Sequence, residues 1–235
     1  MTKKGKLYLI PTPLGENGDH VLPQYVKDII HQLDLFIAEK AKTARRYIKT
    51  TAHPKAISDL TFWELNKRTD YNEWSQYLKE AEVGNNIGLL SEAGCPGVAD
   101  PGAEIVKLAH QKSIEVIPLV GPSSILLALM ASGMNGQSFA FHGYLSPKKE
   151  IIGKDLKRLE QVAQKAKQTQ LFIETPYRNK QLVEQAFKVL SSKTRFCIAM
   201  DLTLPNEYVV TKTIGDWRKS KLPELHKRPA VFLLM

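Results

Sequence analysis

Short apolar runs alternate along the chain with stretches in which apolar residues recur at helical spacing. The apolar runs predict strands near 7–11, 34–38, 86–90, 114–119, 138–142, 170–174, 195–200, 207–213 and 230–234. Helical spacing predicts helices near 21–32, 40–49, 73–82, 103–112, 150–167 and 177–190, and a further buried helix after 121–124. This alternation is typical of α/β layers around largely parallel sheets.

The spacing of the strands changes in the second half of the chain, where the later strands follow one another without long helices. A purely parallel sheet needs long crossovers, so we predict that the second sheet is mixed. We place a domain boundary near residue 120, which gives an N-terminal α/β domain, 1–119, and a C-terminal α/β domain, 120–235.

Net charge, cysteine content and the length of the apolar runs limit which classes of protein and partner are expected. Lys and Arg outnumber Asp and Glu by 33 to 24, so the formal charge of +9 favours an anionic partner such as RNA or a polycarboxylate. The two cysteines form no CxxC pair and the histidines do not cluster, so we expect neither a disulfide framework nor a metal site. The longest apolar run, 125–131, is too short for a bilayer, and we expect a soluble cytoplasmic protein with no membrane partner.

Four segments rich in small or polar residues follow predicted strands. They are 11–15 (PTPLG), 91–102 (SEAGCPGVADPG), 121–124 (GPSS) and 174–178 (ETPYR). Because open α/β sheets bind ligands at the carboxyl ends of their strands, these segments predict a common cleft. None matches the glycine patterns of NAD or nucleoside triphosphate sites, so a different ligand is expected.

The ordered combination of TPLG, AE at 38–39, SEAGCPGVADPG, GPSSILLALMASG at 121–133, FHGYLSPKK at 141–149 and ETPYR resembles the tetrapyrrole methylase superfamily. The resemblance is greatest to the branch that methylates a cytidine 2′-hydroxyl of small-subunit ribosomal RNA. It implies two α/β/α domains with S-adenosylmethionine in the cleft between them, and a homodimer. The acceptor it implies is ribosomal RNA or the small ribosomal subunit.

The resemblance also assigns residues to the cofactor. The predicted cofactor-binding residues are Leu14, Cys95, Pro96, Val98, Ser123, Ser124, Ile173, Pro229 and Ala230. Methyl transfer from a sulfonium is an in-line displacement, so the enzyme positions the acceptor and removes its proton without needing a metal.

The charged residues at or just beyond predicted strand ends are the candidates for that chemistry. They are Glu39, Glu174, Arg178 and Asp201. We predict that Glu174 orients or deprotonates the hydroxyl and that Arg178 holds a phosphate. An ion pair that closes the start of a helix explains this pair of residues equally well.

The chain departs from the RNA branch on the expected acceptor side. Lys40 and Thr43 stand where the branch has an acidic residue and a histidine, and Tyr177 stands where it has another histidine. The segment 200–204 (MDLTL) loses two cations of the branch's motif, and the branch's small C-terminal extension is not found after Met235. A tetrapyrrole C-methyltransferase and a catalytically silent RNA- or ribosome-binding homologue therefore remain alternatives.

Two groups of basic residues could contact phosphates. The first is Lys42, Arg45, Arg46 and Lys49, and the second is Lys148, Lys149, Lys154, Lys157 and Arg158. Two ordinary solvated helix faces are the competing interpretation of these groups.

Overall fold

The structure is a computed structural model that describes residues 3–65 and 71–235. The side chains of Tyr71, Asn72 and Lys149 lie outside the described part, and so does the predicted phosphate contact of Lys149. The chain divides into two compact units, Met1–Ser123 and Ser124–Met235.

The N-terminal unit contains a five-stranded sheet. Its strands are β1 (Lys6–Ile10), β2 (Leu35–Ala38), β3 (Thr61–Glu64), β4 (Ile87–Leu90) and β5 (Glu115–Pro118). They lie in the order β3-β2-β4-β1-β5, and each pairing between these strands is parallel. The carboxyl ends of all five strands therefore lie at one edge of the sheet.

Helices cover both faces of this sheet. They are α1 (Gln24–Ile30), α2 (Ala41–Thr50), α3 (Tyr71–Tyr77), α4 (Lys79–Glu82) and α5 (Gly102–Gln111). Residues of α1 and α2 pack in one core with Phe36 of β2, and Ile105 of α5 packs in a second core with the neighbouring Ile37. Successive residues of a strand point to opposite faces, so the two cores lie on opposite sides of the sheet.

The structure differs from the predicted helices and strands of this unit at several points. The helix expected over 21–32 begins at Gln24, because Pro23 precedes it and has no N–H to continue a helix backwards. The helix expected over 73–82 is divided at Leu78, which is fully buried between α3 and α4. Strand β3 was not predicted, since it is a short edge strand with only two apolar residues.

The C-terminal unit has a second five-stranded sheet. Its strands are β6 (Phe139–Tyr144), β7 (Thr169–Ile173), β8 (Arg195–Met200), β9 (Tyr208–Thr213) and β10 (Ala230–Leu234). Their order is β6-β7-β10-β8-β9, with β6 and β7 parallel and the remaining neighbours antiparallel. The α/β class and the mixed second sheet are thus confirmed.

The helices of this unit also lie on both faces of its sheet. They are α6 (Ser124–Ser132), α7 (Lys149–Ala166), α8 (Asn179–Val189) and α9 (Ile214–Lys219), of which α9 was not predicted. Side chains of α7, α8 and α9 share one core with Phe172, Phe196 and Phe232. Helix α6 packs against the opposite face, where Thr211 Oγ1 donates to the carbonyl oxygen of Ser132 at 2.8 Å. Among the described helices, none is both long and apolar enough to cross a membrane.

Candidate functional site

The turn after β4 is bonded directly to the segment after β1. Thr12 and Gly94 exchange both backbone hydrogen bonds, at 3.0 and 3.1 Å. Ser91 Oγ donates to the Gly94 carbonyl oxygen at 2.7 Å. Gly94 has a φ of +79°, and a Cβ there would lie 3.2 Å from Leu14 Cδ2, so a side chain would be strained and crowded. The predicted segments 11–15 and 91–102 are therefore hydrogen-bonded to each other.

Cys95 connects the turn after β4 to a third predicted segment, 121–124. Its Sγ lies 3.4 Å from the carbonyl oxygen of Pro122 and 3.8 Å from that of Gly121, in the segment that follows β5. Burial raises the pKa of the Cys95 thiol, so the neutral thiol serves as a donor to these carbonyls. A thiol in this state is a poor nucleophile, and its position suits a binding surface.

The second half of the turn starts α5. Asp100 Oδ1 accepts hydrogen bonds from the backbone N–H groups of Gly97 and Gly102 at 2.7 and 2.8 Å. Burial raises the pKa of this carboxyl, while the two N–H bonds act in the opposite direction. Helix α5 begins at Gly102, one residue before the start predicted for it. Of the predicted cofactor residues in this turn, Pro96 is buried and Val98 is exposed.

A pocket of about 360 Å³ lies beside these segments in the N-terminal unit. It is lined by Thr12, Pro13, Leu14, Gly15, Glu16, Asn17, Asp19, Thr43, Ala44, Arg46, Tyr47, Thr50, Ser91, Glu92 and Ala93. Helix α2 supplies one wall, and the unpredicted strand β3 fixes the start of that helix, because Glu64 Oε1 accepts the N–H of Ala41 at 2.8 Å. The size of the pocket is within the range of small-molecule sites.

Charged side chains around this pocket form ion pairs. Arg46 Nη1 lies 3.3 Å from Glu16 Oε1 in an exposed pair. Lys40 Nζ lies 3.5 Å from Glu92 Oε2. Glu39, the third predicted catalytic residue, is half-buried directly after β2. Its catalytic role stays a prediction.

In the C-terminal unit, Glu174 and Arg178 form a close ion pair after β7. Glu174 is fully buried at its side chain, and its Oε1 accepts from Thr175 N at 2.6 Å and from Arg178 Nε and Nη2 at 3.0 and 2.6 Å. Arg178 immediately precedes α8, so the geometry includes the helix-start ion pair that the sequence left open. Glu174 Oε2 is buried without a hydrogen-bond partner among the described residues.

A second buried ion pair connects the ends of β8 and β10. Asp201 Oδ2 accepts from Arg228 Nε at 2.5 Å and from Asn206 Nδ2 at 2.6 Å. The N–H of Asp201 donates to the carbonyl oxygen of Pro229 at 3.1 Å. Asp201 and Thr203 have φ values of 47° and 70°, a left-handed conformation that is unusual for a β-branched threonine. The loop after β8 is therefore a strained segment with fixed polar contacts.

The remaining predicted cofactor residues lie at one edge of the second sheet and at the boundary between the two units. Ile173 ends β7 opposite Val231, and Ala230 begins β10 directly after Pro229, so these residues share one edge of the second sheet. Ser123 is the last residue of the N-terminal unit, and Ser124 begins α6 in the C-terminal unit. Among the described residues, no group of three or more His, Cys, Asp or Glu side chains could hold a metal ion.

Relatives of known name match most of the chain. It is 33% identical over 214 residues to the ribosomal RNA small subunit methyltransferase I of Bacillus subtilis, covering 90% of this chain and 68% of that protein. It is 28% identical over 231 residues to the protein of the same name from Haemophilus influenzae, covering 98% and 78% of the two chains. The chain belongs to the ribosomal RNA small subunit methyltransferase I family. No family model matches it.

Solved structures confirm the fold of this family member. The methyltransferase CobJ aligns with a TM-score of 0.63 at 18% identity, covering 98% of this chain and 93% of CobJ. The uroporphyrin-III C-methyltransferase of Thermus thermophilus, complexed with S-adenosylhomocysteine, aligns with a TM-score of 0.57 at 14% identity and covers 98% and 97% of the two chains. At these identities the comparison shows a shared fold, which is the fold that the resemblance implied.

The positions at which this methyltransferase departs from its branch have partners in the structure. Lys40 pairs with Glu92, and Tyr177 packs edge-on against His226, with ring centroids 5.7 Å apart. Within the segment 200–204, Asp201 pairs with Arg228, a residue that sequence reasoning missed. The signal for it was an arginine directly before the predicted cofactor residues Pro229 and Ala230.

Proposed function

We propose that this methyltransferase transfers the methyl group of S-adenosylmethionine to a ribose 2′-hydroxyl of small-subunit ribosomal RNA. The observation that carries the proposal is the 33% identity to the ribosomal RNA small subunit methyltransferase I of Bacillus subtilis over 90% of the chain. The formal charge of +9 fits a polyanionic acceptor. We place this activity in the cytoplasm, where the ribosomal acceptor is found.

The cofactor is proposed to contact two groups of residues, one in each unit. Leu14, Cys95, Pro96, Val98 and Ser123 belong to the N-terminal unit, and Ser124, Ile173, Pro229 and Ala230 to the C-terminal unit. The hydrogen bonds around Gly94 and Cys95 hold the turns after β1, β4 and β5 together, so Leu14, Cys95 and Pro96 are fixed relative to one another. When bound, S-adenosylmethionine supplies a methyl group on a sulfonium, which an oxygen nucleophile takes by in-line displacement.

We propose that the pocket beside α2 receives a nucleoside of the acceptor RNA. Its rim continues into the outer face of α2, on which Lys42, Arg45, Arg46 and Lys49 are all exposed. Such cations contact phosphates without reading the base. Inside the pocket the carboxylates of Asp19 and Glu92 suit the amino group of a cytosine, which is a hydrogen-bond donor.

We propose that the Glu174–Arg178 ion pair after β7 acts on the acceptor RNA, with Glu174 on the ribose hydroxyl and Arg178 on a phosphate. Glu174 is proposed to orient or deprotonate the hydroxyl. Its Oε2 is buried and has no hydrogen-bond partner among the described residues, so direct proton transfer to this atom requires the segment 174–178 to move. Arg178 uses Nε and Nη2 on Glu174, so its Nη1, on a side chain that is 36% exposed, is the group that would bind a phosphate. Glu39 is the alternative base.

The test uses small ribosomal subunits from cells that lack this gene. Purified protein and S-adenosylmethionine labelled in its methyl group should label the RNA, and digestion should release a 2′-O-methylated nucleoside. Subunits from cells that carry the gene are the matched control, and they should accept little label because the position is already methylated.

Three results would overturn the proposal. Label in a precorrin and none in RNA would identify a tetrapyrrole C-methyltransferase. Absence of any heat of binding with S-adenosylmethionine in calorimetry would identify a silent homologue. A labelled base in place of a ribose would refute the 2′-hydroxyl as the acceptor.

We also propose that the protein is a homodimer. Met130 on α6 and Tyr144 at the end of β6 are 78% and 59% exposed, and large apolar or aromatic side chains at such exposure favour a partner surface. Light scattering after size-exclusion chromatography should give about twice the 26.5 kDa chain mass. A monomer mass at micromolar concentration would refute this proposal.

A further inference from the structure

Two loops of the C-terminal unit present an exposed aromatic pair. Tyr177, in the segment after β7, keeps 69% of its surface exposed although the ring of His226 lies against it at 5.7 Å and 75°. His226 is itself exposed and lies in the segment before β10. The exposed ring of Tyr177 is therefore accessible to a flat ligand.

The backbone beneath this pair is fixed. The buried side chain of Asn179 donates from Nδ2 to the carbonyl oxygens of Leu225 and Arg228, at 3.2 and 2.7 Å. Lys227 N donates to the carbonyl oxygen of Pro176 at 3.1 Å. The two loops are therefore bonded to each other on both sides of the rings, so little entropy is lost when a ligand packs on them.

Cations surround the pair in both loops. Arg178 and Lys180 follow Tyr177, and Lys227 and Arg228 follow His226. Glu174 and Asp201 are buried against Arg178 and Arg228, so the carboxylate of Glu224 is the acidic group that these two loops leave exposed. Lys180 and Lys227 are both exposed and have no carboxylate within 4.0 Å among the described residues.

We infer that Tyr177, supported edge-on by His226, is a stacking platform for one unpaired base of the RNA acceptor, with Lys180 and Lys227 on the adjoining phosphates. Single-stranded RNA is bound in this way by aromatic side chains flanked by cations. The inference rests on the proposed RNA substrate and adds to it a contact outside the pocket beside α2. It also gives a role to Tyr177, one of the residues that depart from the branch's motif.

The experiment measures binding of a short fluorescein-labelled single-stranded RNA by anisotropy. Tyr177→Ala should weaken binding about fivefold or more, whereas Tyr177→Phe should bind like wild type because the ring remains. Tyr25→Ala is the matched control, since Tyr25 is 59% exposed on α1 and should leave binding unchanged. Lys180→Ala should reduce the slope of log affinity against log salt by about one.

Wild-type affinity in a folded Tyr177→Ala protein would overturn the platform. Ultraviolet crosslinking of the wild-type protein to the same RNA gives a second readout that does not depend on any variant folding. Crosslinks should fall within residues 174–180 or 224–229, and crosslinks confined to other segments would also overturn the inference. Because neither measurement requires methyl transfer, a failure of the proposed 2′-O-methylation is distinguished from a failure of the platform.

Discussion

Arg228 donates from Nε to Oδ2 of Asp201 at 2.5 Å, and this ion pair fixes the loop after β8 to the residues that lead into β10. The side chains of Asp201 and Arg228 are only 5% and 20% exposed. Arg228 also donates from Nη2 to the carbonyl oxygen of Asn206 at 2.6 Å. A single arginine thus joins two segments that lie 27 positions apart in the sequence.

Replacement of Arg228 by alanine should lower the free energy of unfolding by about 3 kcal/mol, because it leaves the buried Asp201 carboxylate without its counter-charge. Urea denaturation of the two proteins measures the difference. Lys221→Ala changes an exposed cation nearby and should stay within about 0.5 kcal/mol of wild type. Equal stability of Arg228→Ala and wild type would show that water solvates Asp201 in the folded state.

Glu174→Gln should lower kcat for methylation of small ribosomal subunits by about 100-fold or more, because the amide cannot take the proton of the hydroxyl. Binding of S-adenosylmethionine should be unchanged in calorimetry. Glu184→Gln, at an exposed position of α8, is the control for loss of one carboxylate and should retain full activity.

A purely structural Glu174 would give a different result. The unfolding midpoint would fall while kcat of the folded fraction stayed at the wild-type value. If Glu39→Gln showed the loss of kcat instead, the base would lie after β2 and the assignment to Glu174 would be wrong.

Cys95 should react slowly with iodoacetamide at neutral pH, because burial raises its thiol pKa above the ordinary value of 9.0 and the thiolate is the reactive form. The rate should keep rising with pH beyond that value, as more of the thiol ionises. S-adenosylhomocysteine should slow the labelling further if Cys95 contacts the cofactor. Mass spectrometry of labelled peptides measures this, with the fully buried Cys197 as an internal control that stays unlabelled in the folded protein. Labelling of Cys95 that is fast at pH 7, or unaffected by the ligand, would contradict its proposed place.

Gly121→Ala should destabilise the protein by about 2 kcal/mol, because a Cβ there would lie 2.2 Å from Pro11 Cβ, between two rigid segments. Gly136→Ala is the matched control, since a Cβ at that position has no neighbour within 4 Å. Thermal unfolding of both variants compares them directly. A Gly121→Ala protein as stable as Gly136→Ala would mean that the segments after β1 and β5 can separate at low cost.

The order of strands and helices was largely readable from the sequence, since periodicity is local and most elements bury one continuous face. The exceptions are informative. Strand β3 has only Phe62 and Trp63 as apolar residues on an edge, and Leu78 divides a helix whose apolar pattern continues across the break. At both β3 and Leu78, the element is determined by packing against residues that are distant in the sequence. A short stretch of sequence does not contain those residues.

The sequence by itself determined the α/β class, the mixed second sheet and, through the order of its motifs, the ribosomal RNA methyltransferase family. The tertiary structure alone decided which distant side chains are in contact. Lys40 pairs with Glu92, Asp201 pairs with Arg228, and the ring of Tyr177 packs against that of His226. The physical reason is that apolar periodicity is set by neighbours along the chain, whereas these contacts join residues 27 to 52 positions apart. Strand register and loop closure bring such residues together, and both depend on the whole sheet.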